Sequence, residues 1–179
     1  LAQYEKDLHP LSTTSIQPVL QSNEVHYYGE YVGMVVAETF EQAQYAARLV
    51  KYTYEEATPD IDFEASKPKA YKPTEQSDYS RGDVATGLAE ADVTLDETYV
   101  TPIEHHHPME LHALIGSWNN GNVQAYASQQ MIDNAAKTIA DTFKIDKKNV
   151  RVMSPYVGGG FGSKLAAKQH VILALMASK

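Results

Sequence analysis

Four glycines in five positions, Gly158-Gly159-Gly160-Phe161-Gly162, constrain this chain more than any other feature of its 179 residues. Glycine reaches backbone angles closed to other residues. The run stands between Val150 to Met153, which reads as a strand, and residues 165 to 178, apolar on most faces and expected to form a helix buried on several sides. A glycine-rich turn between a strand and a helix lets main-chain N–H groups approach an anion or an oxo ligand closely. Two nucleotide motifs share that arrangement, and neither fits. A P-loop needs glycine directly before its lysine and Ser or Thr after it, whereas Ser163 and Leu165 flank Lys164. The dinucleotide pattern G-x-G-x-x-G fails because Phe161, Gly162 and Ser163 follow Gly160. The plain structural alternative is a tight turn that lets strand and helix pack closely.

The rest of the chain predicts an α+β protein. The first 23 residues, rich in Ser, Thr, Gln and Pro, show no sustained period and are expected to be irregular. Tyr28 to Glu38 reads as a strand on its β-branched and aromatic content. Thr39 and Gln42 then form the S/T-x-x-E/Q pattern of a capping box. Phe40, Ala43, Ala47 and Val50 share one face of the helix that follows, and a strand over Val50 to Tyr54 closes a β-α-β unit. Residues 61 to 80, within a proline-punctuated stretch with almost no apolar period, are the predicted linker. Beyond it come a short helix over Asp83 to Ala91 and a strand over Val93 to Thr101. Strands over Glu110 to Trp118 and Asn122 to Ala127 flank Asn119-Asn120-Gly121, whose Asn-Gly step favours a tight hairpin. Ile132, Ala136, Ile139 and Phe143 repeat at helical spacing, which predicts an amphipathic helix over 131 to 143.

Charge and composition narrow the partners. A formal charge of -8 opposes the counterion-release term that drives nucleic-acid binding, so no nucleic-acid partner is expected. The absence of cysteine excludes disulfides, thiolate metal sites and a cysteine-ligated iron–sulfur cluster within this chain. Any redox chemistry therefore uses a borrowed cofactor. No stretch approaches the roughly 18 apolar residues of a membrane span, and the chain reads as soluble. It begins at Leu1 and stops at Ala177-Ser178-Lys179 directly after an apolar run, which reads as a piece of a longer polypeptide.

Three ordered stretches resemble the aldehyde oxidase/xanthine dehydrogenase family of molybdenum hydroxylases, over nearly all of residues 10 to 179. Gly29 to Val50 is similar to the end of the hammerhead domain. Arg81-Gly82-Asp83, Ala91-Asp92-Val93 and Pro108 to Ala113 resemble the start of the molybdenum cofactor domain, and Tyr156 to Lys164 its glycine–phenylalanine loop. The resemblance implies a partial hammerhead domain over 1 to 60, a linker over 61 to 80, and the N-terminal portion of a molybdenum cofactor-binding domain over 81 to 179. It assigns the amide beside the metal's apical oxo group to Gln129 rather than Gln130, since an amide N–H₂ donates without adding charge. It places Gly159, Gly160, Phe161 and Gly162 at the cofactor, with the phenyl ring bordering substrate and the Gly162 N–H facing the oxo ligand. Where the xanthine-oxidising branch carries a glutamate after the loop lysine, this chain has Leu165, so an aldehyde-oxidising bacterial type is implied.

The same resemblance implies oxidation of an aldehyde or related carbon to the acid, with water as oxygen source and molybdopterin, in its cytosine dinucleotide form, as cofactor. Iron–sulfur and FAD centres are implied on partner subunits or domains, beside the remainder of the large subunit, in cytoplasm or periplasm. The family's catalytic glutamate lies in a Gly-x-Gly-Glu motif near the subunit's far C-terminus. No such string occurs here, so it is expected beyond Lys179, no catalytic residue is assigned, and the isolated chain is expected to be inactive.

His105-His106-His107 and His112, with Glu104 and Glu110, compose a second candidate centre, because imidazole and carboxylate are ordinary zinc ligands. Adjacent residues on an extended chain point to opposite faces, and Pro108 holds His107 towards extended geometry. No metal ligands are therefore assigned. The family reading makes this a structural strand start, with Glu110 and His112 satisfying buried partners. Two alternatives stand beside the enzyme: a non-enzymatic module whose glycine loop holds an anion, and a histidine-run metal-binding domain.

Overall fold

A computed structural model describes residues 19–72 and 79–179 of the chain. Most of the irregular segment expected over 1–23, and part of the linker expected over 61–80, lie outside the described residues. The chain divides into two units, one comprising the residues up to Lys51 together with Glu104–Lys179, the other Tyr52–Ile103.

The larger unit is built on a three-stranded sheet in the order β1-β2-β3. Strands Leu114–Asn119 (β1) and Asn122–Ala127 (β2) form the expected hairpin, with Asn119 opposite Asn122. Asn120 and Gly121 both take positive φ, 49° and 80°, the two-residue turn that suits the strands' twist. From β2 the chain crosses through helix Ile132–Phe143 (α4) and returns as Val150–Met153 (β3), parallel to β2. That connection needs a helix, because parallel neighbours cannot be joined by a tight turn. Helix Gln169–Ala177 (α5) follows the glycine loop and lies against β1.

The burial alternates as a one-faced sheet requires. Val123, Ala125 and Ala127 of β2 are buried with Val150 and Val152 of β3, while the intervening residues are exposed or partly so. The core closes with Ala135, Ala136, Ile139 and Ala140 from α4 and Val171, Ile172, Leu173 and Leu175 from α5. Trp118 packs edge-on to Phe143, and its indole N–H donates to the Leu175 carbonyl at 2.8 Å, tying β1 to the last helix. Lys144, in left-handed geometry at φ 56°, ends α4. The last helix starts at Gln169 rather than 165, because residues 160 to 164 are drawn into the loop's turn.

Helix Phe40–Leu49 (α1) starts where the capping pattern places it, with Thr39 Oγ1 accepting from the Gln42 N–H at 3.2 Å. None of its residues is buried, so the face of Phe40, Ala43 and Ala47 has no cover among the described residues. The strands expected over 28–38 and 50–54 form no ladder among the described residues, where the β-α-β unit is represented by its helix. A strand's apolar pattern specifies a face, but the ladder needs a neighbour at about 4.8 Å, and none of the described residues supplies one.

The unit Tyr52–Ile103 holds two short helices, Phe63–Ser66 (α2) and Val84–Ala89 (α3). Asp62 and Asp83 cap them through their carboxylates, as Asp does at N-caps. The strand expected over 93–101 likewise forms no ladder among the described residues. No described residue of this unit is buried.

Candidate functional site

The glycine loop lies between β3 and α5 in the larger unit, as the sequence implies, and three side chains hold it. The chain enters from the hairpin side through Pro108 to Leu111, where His107 turns at φ 38°. This corrects the extended geometry expected for the residue before Pro108. The turn lets the chain fold under the loop: the Glu110 N–H donates to the Gly158 carbonyl at 3.3 Å. The same turn sets the His106 ring against Gly162, its Nε2 3.4 Å from where a Cβ on Gly162 would stand.

Glu110 is the densest node. Its Oε2 accepts from Ser128 Oγ at 2.5 Å, the Gly158 N–H at 2.7 Å and Lys164 Nζ at 2.8 Å. The Lys164 ammonium also donates to the Glu110 main-chain oxygen at 3.1 Å, and the lysine side chain is fully buried. One carboxylate thus ties the first residue of the loop to the lysine two residues past its end. These donors, with Lys164 foremost, hold the Glu110 carboxyl well below its ordinary range, at about 2. Glu110 therefore stays charged at every physiological pH.

Gln130 holds the loop's second half. Its Oε1 accepts from the Gly162 N–H at 3.1 Å and the Lys164 N–H at 3.2 Å, while its main-chain N–H donates to the Lys164 carbonyl at 2.8 Å. Gly160 lies so close over this amide that a Cβ there would overlap Gln130 Oε1. Gly158 is equally confined, its would-be Cβ 2.6 Å from the Cβ of Glu110. Gly159 and Gly162 take φ of 87° and 100°, which glycine alone adopts without strain.

The residues assigned from the sequence separate into two groups. Gly159, Gly160 and Phe161 form one group, Gly160 buried and Phe161 exposed, and their N–H groups make no hydrogen bond among the described residues. Phe161 is 72% exposed with φ 50°, its ring folded over Gly159. Gly162 belongs to the other group, because its N–H is turned to Gln130. Gln129 is buried, its amide nitrogen set to donate to the Lys164 and Ala166 carbonyls at 3.2 Å each. Its main chain is fixed by Ser154, whose Oγ accepts from the Gln129 N–H at 2.9 Å.

Sequence alone gives Gln130 no role at the loop, and Glu110 and Lys164 no shared one. The residues to which these connect lie 32 to 54 positions away, so no local period exposes them. His112, expected to satisfy a buried partner, instead meets the His170 ring edge-on at 5.3 Å. Burial foremost, with charge from Lys164 and Lys168, lowers the affinity of His112 for a proton. Among the described residues no group of three or more His, Asp or Glu side chains is gathered to hold a metal.

Consecutive main-chain donors left unpaired above the Glu110–Lys164 ion pair suit an oxygen-rich or anionic group. The comparisons with known proteins agree in kind. The model of the aldehyde oxidase and xanthine dehydrogenase a/b hammerhead domain matches residues 2–58, and that of the molybdopterin cofactor-binding domain matches residues 64–179. The chain is 37% identical over 156 residues to the aldehyde oxidoreductase molybdenum-binding subunit PaoC of Escherichia coli, covering 87% of this chain and 21% of that protein. It is 31% identical over 171 residues to a probable xanthine dehydrogenase subunit of Bacillus subtilis, covering 91% and 23%. With the xanthine dehydrogenase of Drosophila pseudoobscura pseudoobscura it shares 29% over 167 residues, covering 92% and 12%. The chain thus spans less than a quarter of the length of each of these relatives.

Proposed function

From the premise that the chain belongs to the aldehyde oxidase and xanthine dehydrogenase family of molybdopterin-dependent oxidoreductases, we propose that its protein oxidises an aldehyde to the acid, with water as oxygen source. The observation that carries the substrate class is Leu165. The residue after the loop lysine is apolar and half-buried, and offers neither charge nor hydrogen bond to a purine. A polar heterocycle placed against an apolar side chain leaves its own polar atoms unpaired, and that desolvation weighs against a purine. The greater similarity to an aldehyde oxidoreductase subunit than to the two xanthine dehydrogenase proteins named above supports the same choice.

The site fits the family's cofactor on its own geometry, since three main-chain donors are unpaired among the described residues in a loop whose Cβ positions are closed at Gly158 and Gly160. When bound, the molybdenum cofactor supplies the redox chemistry by accepting the electrons that substrate oxidation releases. The chain's own residues supply placement. Gly159, Gly160 and Phe161 present N–H donors to the cofactor, and the exposed Phe161 ring flanks the substrate and limits water. Gly162 provides the positive-φ turn, and Gln129 backs the loop through the carbonyls of Lys164 and Ala166. Cytosine dinucleotide as the pterin's partner, iron–sulfur and FAD centres on other subunits or domains, and the hammerhead–linker–cofactor division at 60 and 80 belong to the same proposal.

In the molybdenum-loaded enzyme, kcat/KM for aromatic and aliphatic aldehydes should exceed that for xanthine, and Leu165→Glu should narrow the ratio. A parent enzyme that prefers xanthine overturns the substrate class. The 179-residue chain alone, carrying one wall of the site, should hold far less than one molybdenum per chain; metal analysis that finds stoichiometric molybdenum overturns that part.

A further inference from the structure

We propose that Gln130 is the positioning residue of the glycine loop, whose amide oxygen determines which of the loop's N–H groups face the cofactor. The inference rests on the cofactor reading above and goes beyond it in naming what shapes the loop. Five consecutive residues, Gly158 to Gly162, carry N–H groups that could face either way. Glu110 takes the first, at Gly158, and Gln130 takes the last, at Gly162. The three between make no hydrogen bond among the described residues.

Gln130 is placed for this by its own main chain. Its N–H donates to the Lys164 carbonyl while its Oε1 accepts from the Lys164 N–H, so the two residues exchange a pair of bonds as strand neighbours do. The second lone pair of the same oxygen takes Gly162. An amide is suited to this role because it accepts without bringing a charge that would repel an anionic group beyond the loop. Gly160 must lack a side chain for the contact to form, since its would-be Cβ falls on Gln130 Oε1. Without the acceptor, Gly162 at φ 100° is free to turn its N–H away from Gln130, and the set of unpaired donors in the loop changes. Gln130 itself is solvent-exposed, so its replacement does not empty the core.

The test compares Gln130→Met, which keeps length and removes the acceptor, with Gln130→Glu, which keeps an acceptor oxygen, in the molybdenum-loaded enzyme. Hydrogen exchange at the Gly162 and Lys164 amides should quicken about tenfold in Gln130→Met and return towards parental in Gln130→Glu, as loss and retention of one acceptor require. The kcat for aldehyde should fall about tenfold in Gln130→Met with KM and molybdenum content held, as expected for a geometric effect on the reacting state. The paramagnetic spectrum of the reduced metal should shift in the same variant. Unchanged exchange in Gln130→Met, or exchange as fast in Gln130→Glu, overturns the positioning role whatever the metal content. A parent enzyme without molybdenum or aldehyde turnover sinks the cofactor reading separately, because the exchange measurement does not depend on it.

Discussion

The ammonium of Lys164, its side chain wholly shielded from water, lies 2.8 Å from the carboxylate of Glu110, which is about a third exposed, 54 residues earlier in the chain. A buried cation depends on its counter-ion, and removing one partner of a buried pair typically costs about 3–5 kcal/mol. Water reaches Glu110, so Glu110→Gln should destabilise measurably but by less than the loss of a fully buried partner would. The double variant Glu110→Gln with Lys164→Met removes both charges together and should recover most of the loss. Denaturant unfolding of the four proteins of this cycle measures the coupling, and additive losses would show that the pair does not interact.

The same carboxylate sets a pH dependence. Glu110 titrates near 2 in the folded protein, well below its ordinary 4.5, with Lys164 the leading cause. An acid held low contributes stability that is complete above the ordinary value and lost as pH falls towards the folded one. The stability that the clasp contributes should therefore be unchanged from pH 8 to 5 and lost between about 4.5 and 2, while in the folded protein its hold on Gly158 is released only near 2. The amide proton shift of Gly158 reports this directly. A midpoint at the ordinary carboxylate value would mean that the three hydrogen bonds to Oε2 do not form in solution.

His170 carries the opposite chemistry with the same sign. Burial, and then charge from His112 and Lys168, lowers its proton affinity from 6.5 to about 4. It lies in an apolar groove beside Met34, Leu114 and Leu173, where an imidazolium would be poorly solvated. A histidine depressed in the folded state favours folding above its ordinary value, and that contribution is lost as pH falls from 6.5 towards 4. Melting temperature should fall across that window, and His170→Phe should flatten the profile. An unaltered profile in the variant assigns the acid sensitivity to another group.

What the sequence made legible was whatever a local rule determines. Asn120-Gly121 dictates the hairpin turn, Thr39 and Gln42 the start of α1, and the spacing of Ala136, Ile139 and Phe143 the inward face of α4. The glycine loop was visible because no other residue tolerates φ of 87° and 100° so close together. Segments 28–38 and 93–101 carry a strand's pattern yet form no ladder among the described residues, since pairing depends on a neighbour that the pattern cannot name. The clasp escaped for a related reason: Glu110, Gln130 and Lys164 each look like ordinary polar residues until the fold brings them to one loop. Gln129 and Gln130 are adjacent and chemically identical, and only their opposite sides separate the buried amide from the one that grips Gly162.

Thr138 offers a test of the core itself. It lies on the buried face of α4 beside Ile139, with none of its surface exposed, and its Oγ1 has no hydrogen-bond partner among the described residues. A helical threonine ordinarily turns its hydroxyl to the carbonyl one turn back. Its own carbonyl instead accepts from Thr142 Oγ1 at 2.7 Å, which does nothing for the Thr138 hydroxyl. A buried hydroxyl left unpaired costs about 1–3 kcal/mol of desolvation, whereas an apolar group of the same shape costs none. Thr138→Val should therefore stabilise the fold by about 1 kcal/mol, the lower end of that range, because valine loses some rotamer freedom in a helix. Thr138→Ser keeps the hydroxyl and deletes a methyl from a closed core, so it should destabilise by about 1 kcal/mol. Opposite signs in the two variants, read from chemical unfolding at neutral pH, are the expected result. A destabilised Thr138→Val would mean that the hydroxyl finds a partner in solution, and the unpaired group would then have to be withdrawn.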